Sequence, residues 1–229
     1  MFPIGDEAVQ GGPPPVVTWG LIALNVLAFF IELSQPSDSA LQSFIQSWGV
    51  VPREYAAAQD LPPTIPLPFW STLLTSMFLH GGWMHLGGNM LYLWIFGDNL
   101  EKIMGAARFV IFYLICGLAA SFAHIMFGAS SNIPAVGASG AISGVLGGYL
   151  LLFPSNRVRV LTRGGIVHVP ALVVLGLWIV IQFINGVGSM AQTSETGGVA
   201  YMAHIGGFVA GLALVKLFAA GRTAPALRR

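Results

Sequence analysis

The chain has 229 residues and a net charge of +1; 55% of its residues are hydrophobic and only 8% are charged. Soluble domains carry charge on about a quarter of their residues, so this composition excludes a water-soluble globule and a disordered chain alike. The small net charge excludes the basic surface that nucleic-acid binding needs, and the single cysteine, Cys116, excludes an internal disulfide and a cysteine-built metal site.

Apolar segments long enough to cross roughly 30 Å of hydrocarbon occur six times along the chain. Their approximate limits are 16–33, 78–96, 109–127, 137–153, 169–187 and 199–220. We therefore predict an all-α polytopic membrane protein in which residues 1–229 form a single six-helix domain. Short tails are expected at 1–15 and 221–229, and a long loop at about 34–77 separates the first two spans.

The distribution of basic residues predicts the orientation of these spans. Of the ten lysines and arginines, only Arg53 falls in a loop on the side opposite the termini. By the positive-inside rule both termini are cytoplasmic, and the N-terminal ends of the second, fourth and sixth spans point outward. We expect a bacterial inner membrane as the location.

Three of the spans contain polar residues that lipid would reject, all near their outward ends. In the fourth, Ser139 lies in the run Gly137-Ala138-Ser139-Gly140, and in the sixth His204 is followed by Gly206 and Gly207. Small residues let helix backbones approach closely, which would bring a histidine base within reach of a serine hydroxyl. The alternatives are a hydroxyl bonded back to its own helix and a histidine that caps a loop carbonyl.

The second span begins with a histidine-rich stretch that ends at Asn89. His85 and Asn89 are one helical turn apart and share a face, whereas His80 is expected in the loop or first turn. A histidine beside an amide is a suitable set of hydrogen-bond donors for an oxyanion. A metal site is disfavoured because no acidic residue accompanies these histidines in the span and no His-Glu-x-x-His occurs.

Taken together, the motifs resemble the rhomboid family of intramembrane serine proteases. The resemblance covers nearly the whole chain and comprises His80-x4-His85-x3-Asn89, Gly137-Ala138-Ser139-Gly140 and Ala203-His204 with its glycine pair. It implies that Ser139 is the nucleophile, that His204 is the base, and that His85, Asn89 and the Ser139 backbone amide are oxyanion donors. It also implies no metal or organic cofactor, and movement of the fifth span with its outer loop, 186–198, to admit substrate.

Two departures from the family pattern concern the support of this site. Many relatives have a Trp-Arg pair where this chain has Ser71 and Thr72, with Trp70 displaced by one position, so the first loop must be anchored differently. Many also have an aromatic residue four positions after the nucleophile, against which the histidine stacks. Ser143 occupies that position here.

The predicted function is an intramembrane serine endopeptidase whose partners are transmembrane protein substrates and the lipid bilayer, with no nucleic acid. The alternative is a catalytically inactive rhomboid-like protein that binds membrane helices. A channel or transporter is disfavoured because the inner halves of the spans are almost wholly apolar. Outside the motifs, Glu101 is expected to be a structural cap or ion-pair partner, whereas Asn25, Gln182 and Asn185 are expected to bridge helices.

Overall fold

The computed structural model describes residues 2–7, 9, 12–190 and 200–221, and it is mostly helical. The predicted fold class is confirmed. The helices are α1 (Val16–Leu33), α2 (Asp38–Trp48), α3 (Pro52–Ala57), α4 (Thr72–Thr75), α5 (Trp83–Tyr92), α6 (Asp98–Met104), α7 (Ala106–Phe127), α8 (Ser139–Leu152), α9 (Ala171–Met190) and α10 (Tyr201–Ala219).

Each predicted span contains a helix, although the bounds differ. Within the part of the chain that the structure describes, four helices are long and apolar enough to cross a membrane, namely α1, α7, α9 and α10. The second span is built from α5 and α6, which a π-helical turn at Leu93–Gly97 joins into one continuous helical segment. The fourth span, α8, is shorter and apolar. Residues 191–198 of the predicted outer loop 186–198, and residues 222–229 of the predicted C-terminal tail, lie outside the described residues.

The segment predicted as a long loop, 34–77, contains α2, α3, α4 and two short 3₁₀ turns. Hydroxyl groups of this segment make hydrogen bonds within it. The Thr72 hydroxyl donates to the carbonyl of Phe69 at 2.7 Å and also bonds to the Tyr55 hydroxyl. The Thr75 hydroxyl donates to the carbonyl of Trp48 at 2.7 Å. These bonds join distant parts of the loop segment to one another.

A three-stranded antiparallel sheet, which the sequence analysis did not predict, lies at the opposite end of the molecule. Strands β2 (Arg157–Thr162) and β3 (Gly165–Pro170) form a hairpin between α8 and α9, and β1 (Phe2–Asp6) pairs with β2. Pairing of β1 with β2 requires both strands to lie on the same side of the membrane. The chain between them must therefore cross an even number of times, in agreement with the four predicted spans that separate them.

Glu101 caps the first span. Its two carboxylate oxygens accept hydrogen bonds from the backbone N–H groups of Val17 and Thr18, at 2.9 and 2.7 Å, and from the Thr18 hydroxyl at 2.7 Å. N–H groups in the first turn of a helix have no acceptor within the helix, and a negative charge there is favourable. The expected structural role of Glu101 is confirmed, although the residue lies in α6 and not in a loop. Asn25, by contrast, donates to the carbonyl of Leu21 in its own helix.

Glycines bring α8 and α10 into backbone contact at the centre of the fold. A Cβ added to Gly207 would lie 2.0 Å from the carbonyl oxygen of Gly140, and one added to Gly211 would lie 2.0 Å from that of Gly144. No larger residue fits at either position without separating the helices. This is the close approach that the small residues of the two spans predict.

Candidate active site

Ser139 and His204 form a hydrogen-bonded pair at the end of the molecule opposite the sheet. Ser139 is the first residue of α8, and His204 lies in the first turn of α10. The Ser139 Oγ and the His204 Nε2 are 2.8 Å apart. His204 is buried, with 8% of its surface exposed, whereas Ser139 is half-buried. The glycine contacts between α8 and α10 therefore place the two predicted residues within hydrogen-bond distance.

Two side chains of α9 hold the His204 imidazole from its other side. The Oε1 atom of Gln182 lies 2.8 Å from His204 Nδ1, and the rings of Trp178 and His204 have centroids 5.8 Å apart at an angle of 38°. Gln182 does bridge two helices, as expected of it, but its partner is the predicted base. The sequence analysis assigned no role to Trp178. The two residues are one helical turn apart and share a face of α9, but this spacing does not indicate what that face contacts.

Ser143, at the position where many relatives have an aromatic residue, does not contact the imidazole through its hydroxyl. Its Oγ donates to the backbone carbonyl of Ser139, four residues earlier, at 2.6 Å. Such a bond back to the helix is the ordinary behaviour of a serine in an apolar helix. The alternative of a hydroxyl bonded back to its own helix thus holds for Ser143, whereas the Ser139 hydroxyl is bonded to a histidine on another helix.

His85 and Asn89 lie on α5, next to the N-terminal end of α8. The backbone N–H of Gly81 donates to His85 Nδ1 at 3.3 Å, so in the neutral ring the proton is on Nε2. That edge of the ring is adjacent to Gly137, where an added Cβ would lie 2.8 Å from His85 Nε2. Gly137 has a φ of +126°, which favours glycine as well. The chain preceding Ser139 can pass this close to His85 only because Gly137 has no side chain.

The amide nitrogen of Asn89 is buried and has no hydrogen-bond partner among the described residues. Leaving a buried donor unpaired costs about 1–3 kcal/mol, so the Asn89 amide is available to donate to a group that enters the cavity. It lies close to the same turn as His85, because a Cβ added to Gly137 would be 3.6 Å from Asn89 Nδ2. The backbone N–H of Ser139 belongs to the first turn of α8, where no helical acceptor is available.

A single cavity of about 610 Å³ joins these groups. Its lining includes the four predicted site residues together with Trp178 and a wall of small and apolar side chains from α5, α8 and the segment before α8. The four are Ser139, His204, His85 and Asn89. The cavity therefore combines a hydroxyl–imidazole pair with several hydrogen-bond donors, which is an arrangement suited to acyl transfer.

The two remaining histidines of this end lie behind the site. His80 precedes α5, as expected, and its backbone N–H donates to both carboxylate oxygens of Glu32 on α1, at 2.9 and 3.2 Å. Its ring packs edge-on against that of His85, with centroids 5.1 Å apart. His124, on α7, lines a separate small cavity that also touches Ser139. Among the described residues no group of three or more histidine, cysteine or carboxylate side chains is placed to hold a metal ion.

Comparison with known proteins agrees with this architecture. The rhomboid domain family model matches residues 68–221. The chain is 33% identical over 209 residues to "Rhomboid protease GluP" of Bacillus subtilis (strain 168), covering 91% of this chain and 37% of that protein. It is 26% identical over 204 residues to "Rhomboid protein 1, mitochondrial" of Saccharomyces cerevisiae, covering 87% and 52%. It is 29% identical over 157 residues to "Rhomboid-like protein 11, chloroplastic" of Arabidopsis thaliana, covering 66% and 53%.

These relatives are longer than the chain, which spans between 37% and 53% of their lengths. The matched domain, by contrast, contains all four predicted site residues of the cavity, from His85 to His204. It also accounts for more than half of the chain. With its apolar helices and this matched domain, the chain is an integral membrane protein of the rhomboid family.

Proposed function

We propose that the protein is an intramembrane serine endopeptidase with Ser139 as nucleophile and His204 as general base. The observation that supports this most strongly is the 2.8 Å contact between Ser139 Oγ and His204 Nε2 in a cavity that also contains the unpaired amide of Asn89. Close packing of helices in lipid would account for the glycines. It would not account for a serine–histidine hydrogen bond between two helices, or for an unpaired amide in the same cavity.

The geometry supports a two-step acyl transfer. In the first step Ser139 Oγ attacks the carbonyl carbon of the scissile bond, while His204 Nε2 takes the hydroxyl proton and delivers it to the departing amine. The resulting acyl-enzyme is then hydrolysed by water, which gives its proton to the same nitrogen and returns Ser139 to its free form. Both tetrahedral intermediates place negative charge on an oxygen near the N-terminal end of α8.

Three donors are suitably placed for that oxygen: the backbone N–H of Ser139, the Nε2–H of His85 and the amide of Asn89. An anion is also favoured at this position because it lies at the positive end of a helix. We assign His85 and Asn89 to oxyanion stabilisation, and no metal or organic cofactor takes part in the proposed reaction.

The substrates we propose are transmembrane segments of other proteins. The cavity lies between helices, next to apolar surfaces that face lipid, and a membrane helix can reach it by lateral movement. The substrate must unwind locally, because a hydrogen-bonded helical carbonyl is shielded from attack. The rival function, an inactive protein that only binds membrane helices, would use the same cavity without chemistry at Ser139.

Labelling with a serine-directed fluorophosphonate separates these two functions. We expect one equivalent of label on Ser139 in the folded protein in detergent or liposomes, and none on the Ser139→Ala variant. Ser143→Ala is the matched control, since it removes a hydroxyl one turn deeper that is bonded to its own helix; this variant should be labelled like the wild type. Absence of label on folded wild-type protein would favour the inactive binding function.

We further propose that the end bearing the sheet is cytoplasmic and that the cavity opens toward the outer side. Arg157 and Arg159 lie in β2, and Arg108 donates to the carbonyls of Phe218 and Ala220 at the end of α10, so several basic residues share that end. A bacterial inner membrane stays a prediction, because the relatives include mitochondrial and chloroplastic proteins.

Thiols introduced at the two ends test this orientation. In intact bacteria an impermeant maleimide should modify Asp60→Cys, in the first loop, but not Ser155→Cys, next to the hairpin. The native Cys116 is buried and serves as the background. Modification of Ser155→Cys alone would reverse the orientation and place the cavity on the cytoplasmic side.

A further inference from the structure

The contact between Gln182 and His204 is a side-chain hydrogen bond between α9 and α10. Gln182 is 8% exposed, and it is buried on a helix most of whose side chains are exposed. An amide in an apolar helix is commonly a packing element, but this one ends on the nitrogen of the imidazole that faces away from Ser139.

The chemistry of the two partners determines where the imidazole proton lies. A neutral imidazole has one N–H and one acceptor nitrogen, and a carboxamide oxygen can only accept. Since Gln182 Oε1 faces His204 Nδ1, that nitrogen is the donor. The lone pair is consequently on Nε2, where it accepts from Ser139 Oγ at 2.8 Å. In the other tautomer, Nε2 would carry the proton and could not take one from serine.

Trp178 fixes the plane of the same ring. It lies one helical turn before Gln182, with its ring 5.8 Å from that of His204 and 6.1 Å from that of Phe208. Phe208 is one turn after His204 on α10, so the indole packs along the face of α10 on which the imidazole lies. The side chains of α9 thus supply the support that Ser143 does not give.

We propose that Gln182 is a positioning residue that holds His204 in the base-competent tautomer, and that Trp178 holds the ring plane. The proposal rests on the proposed function, because only a catalytic His204 needs a particular tautomer. It adds that the orientation of the base depends on the position of α9, a helix that contributes no reacting atom.

This dependence has a structural basis in the packing of α9. The helix contacts α8 and α10 far less extensively than these two contact each other, and Gly176 and Gly188 of α9 have open space where a side chain would be. A displacement of α9 that leaves the α8–α10 contact intact would still separate Gln182 from His204. A movement of α9 that opens the cavity would therefore also release His204 from the orientation that Gln182 gives it.

Two substitutions of opposite character test the role of Gln182. Gln182→Met keeps the size and removes the acceptor, whereas Gln182→Glu keeps an acceptor and adds charge. The control is Asn185→Leu, which removes an amide from an exposed position of the same helix. The readouts are the rate of fluorophosphonate labelling of Ser139, kcat and KM on a transmembrane peptide, and melting temperature, all with the full chain in detergent micelles.

For Gln182→Met we expect labelling and kcat to fall about tenfold, which is the effect of losing one neutral hydrogen bond that selects the tautomer, with KM changed less than twofold. Gln182→Glu should be labelled at the wild-type rate or faster, and Asn185→Leu at the wild-type rate. A packing role predicts the opposite order, because methionine suits an apolar interface and a carboxylate does not.

Wild-type labelling by Gln182→Met, or slower labelling of Gln182→Glu than of Gln182→Met, would overturn the proposal. The first result would leave the proposed protease intact, because Ser139 would still react. Failure of the protease itself has a different signature: wild-type Ser139 would not be labelled at all. The melting temperature identifies any variant whose loss of activity is a loss of folded protein.

Discussion

The two helices that flank α10 are attached to it in different ways. α8 touches α10 through backbone, since the carbonyl oxygens of Gly140 and Gly144 lie where side chains of Gly207 and Gly211 would be. α9 touches α10 through side chains, with Trp178 and Gln182 against His204. The proposed reacting pair thus spans an interface of backbone contacts, whereas its support comes from an interface of side-chain contacts. In the proposed protease, precise placement of the pair and access to the site would therefore depend on different helices.

The largest effect should follow from removing either member of the pair across the α8–α10 interface. Ser139→Ala and His204→Ala should each abolish nearly all cleavage of a transmembrane substrate, and the double variant should be no slower than either single one. Groups that act as one unit are strongly non-additive. Rates measured for the three variants at equal folded concentration decide the matter, and independent multiplicative losses would disprove a functional pair.

Substitutions on α5, the third helix that lines the cavity, test whether His85 and Asn89 stabilise the oxyanion. Removal of one preorganised donor costs about 3 kcal/mol of transition-state stabilisation, so Asn89→Ala should lower kcat roughly a hundredfold. KM and the melting temperature should hardly change. His85→Ala should behave similarly with some loss of stability, because its Nδ1 also binds the Gly81 backbone.

A packing role for these two residues gives a different outcome. Hydrogen bonds between helices in a membrane protein contribute only about 0.6 kcal/mol on average, and their loss appears as lower stability. Early melting of both α5 variants with wild-type turnover per folded molecule would therefore remove the oxyanion assignment.

A methyl group added at the α8–α10 interface tests how closely these two helices pack, with a methyl group at an open position of α9 as the reference. Gly211→Ala would place a Cβ against the carbonyl of Gly144, so α8 and α10 must separate. Overpacking typically costs about 1–3 kcal/mol. We expect the melting temperature to fall by about 5 °C and Ser139 labelling to slow about tenfold, because the serine–histidine distance lengthens.

Gly176→Ala is the matched control on α9, where the added methyl group meets open space. It should change neither labelling nor melting temperature. Equal effects of the two substitutions would show that the loss comes from the added methyl group itself and not from separation of α8 and α10.

The smallest effect concerns the far end of α8, which β1 ties down. The Asp6 carboxylate accepts hydrogen bonds from Asn99 and from Tyr149 of α8, and burial raises the pKa of this carboxyl to about 7. Between the ordinary pKa of 3.8 and about 7 the unfolded chain is ionised while the folded protein keeps its proton. The free energy of unfolding therefore falls as pH rises through this window and is level above it.

Asp6→Asn removes this titration while keeping a hydrogen-bonding side chain. From about pH 5 to pH 8 the melting temperature of the wild type should fall relative to that of Asp6→Asn by at least about 2 °C, the effect of about 1 kcal/mol in a domain of this size. Asp38→Asn, at an exposed position at the start of α2, is the control. An unchanged difference between wild type and Asp6→Asn across the pH range would contradict the assignment.

The sequence was most informative where the structure is determined by a local pattern of residues. Long apolar segments predict spans because lipid demands internal backbone bonding, and the motif around Ser139 and the glycines after His204 predicts a close approach that the structure shows. The catalytic roles of these residues stay predictions. Glu101 was expected to be a structural cap or an ion-pair partner, and the structure confirms the cap.

Features that depend on distant pairing were not predicted. β1 is too short to be recognised alone and becomes a strand only by pairing with β2, beyond four spans. Likewise, nothing local indicates that Trp178 and Gln182 face His204, since this depends on how α9 is rotated against α10. The π-helical turn in the second span is also invisible to apolar periodicity.

The strand pairing of β1 also sets an order of events during synthesis. β1 and the N-terminal end of α1 leave the ribosome before their partners, because Glu101 follows one span later and β2 follows four spans later. Until then the end of α1 lacks its cap and β1 has no neighbouring strand. Insertion of the first span is accordingly completed by residues made after it, and the sheet can close only once α8 has crossed. Formation of the sheet is therefore a late step, and it requires that the four spans between β1 and β2 have been inserted correctly.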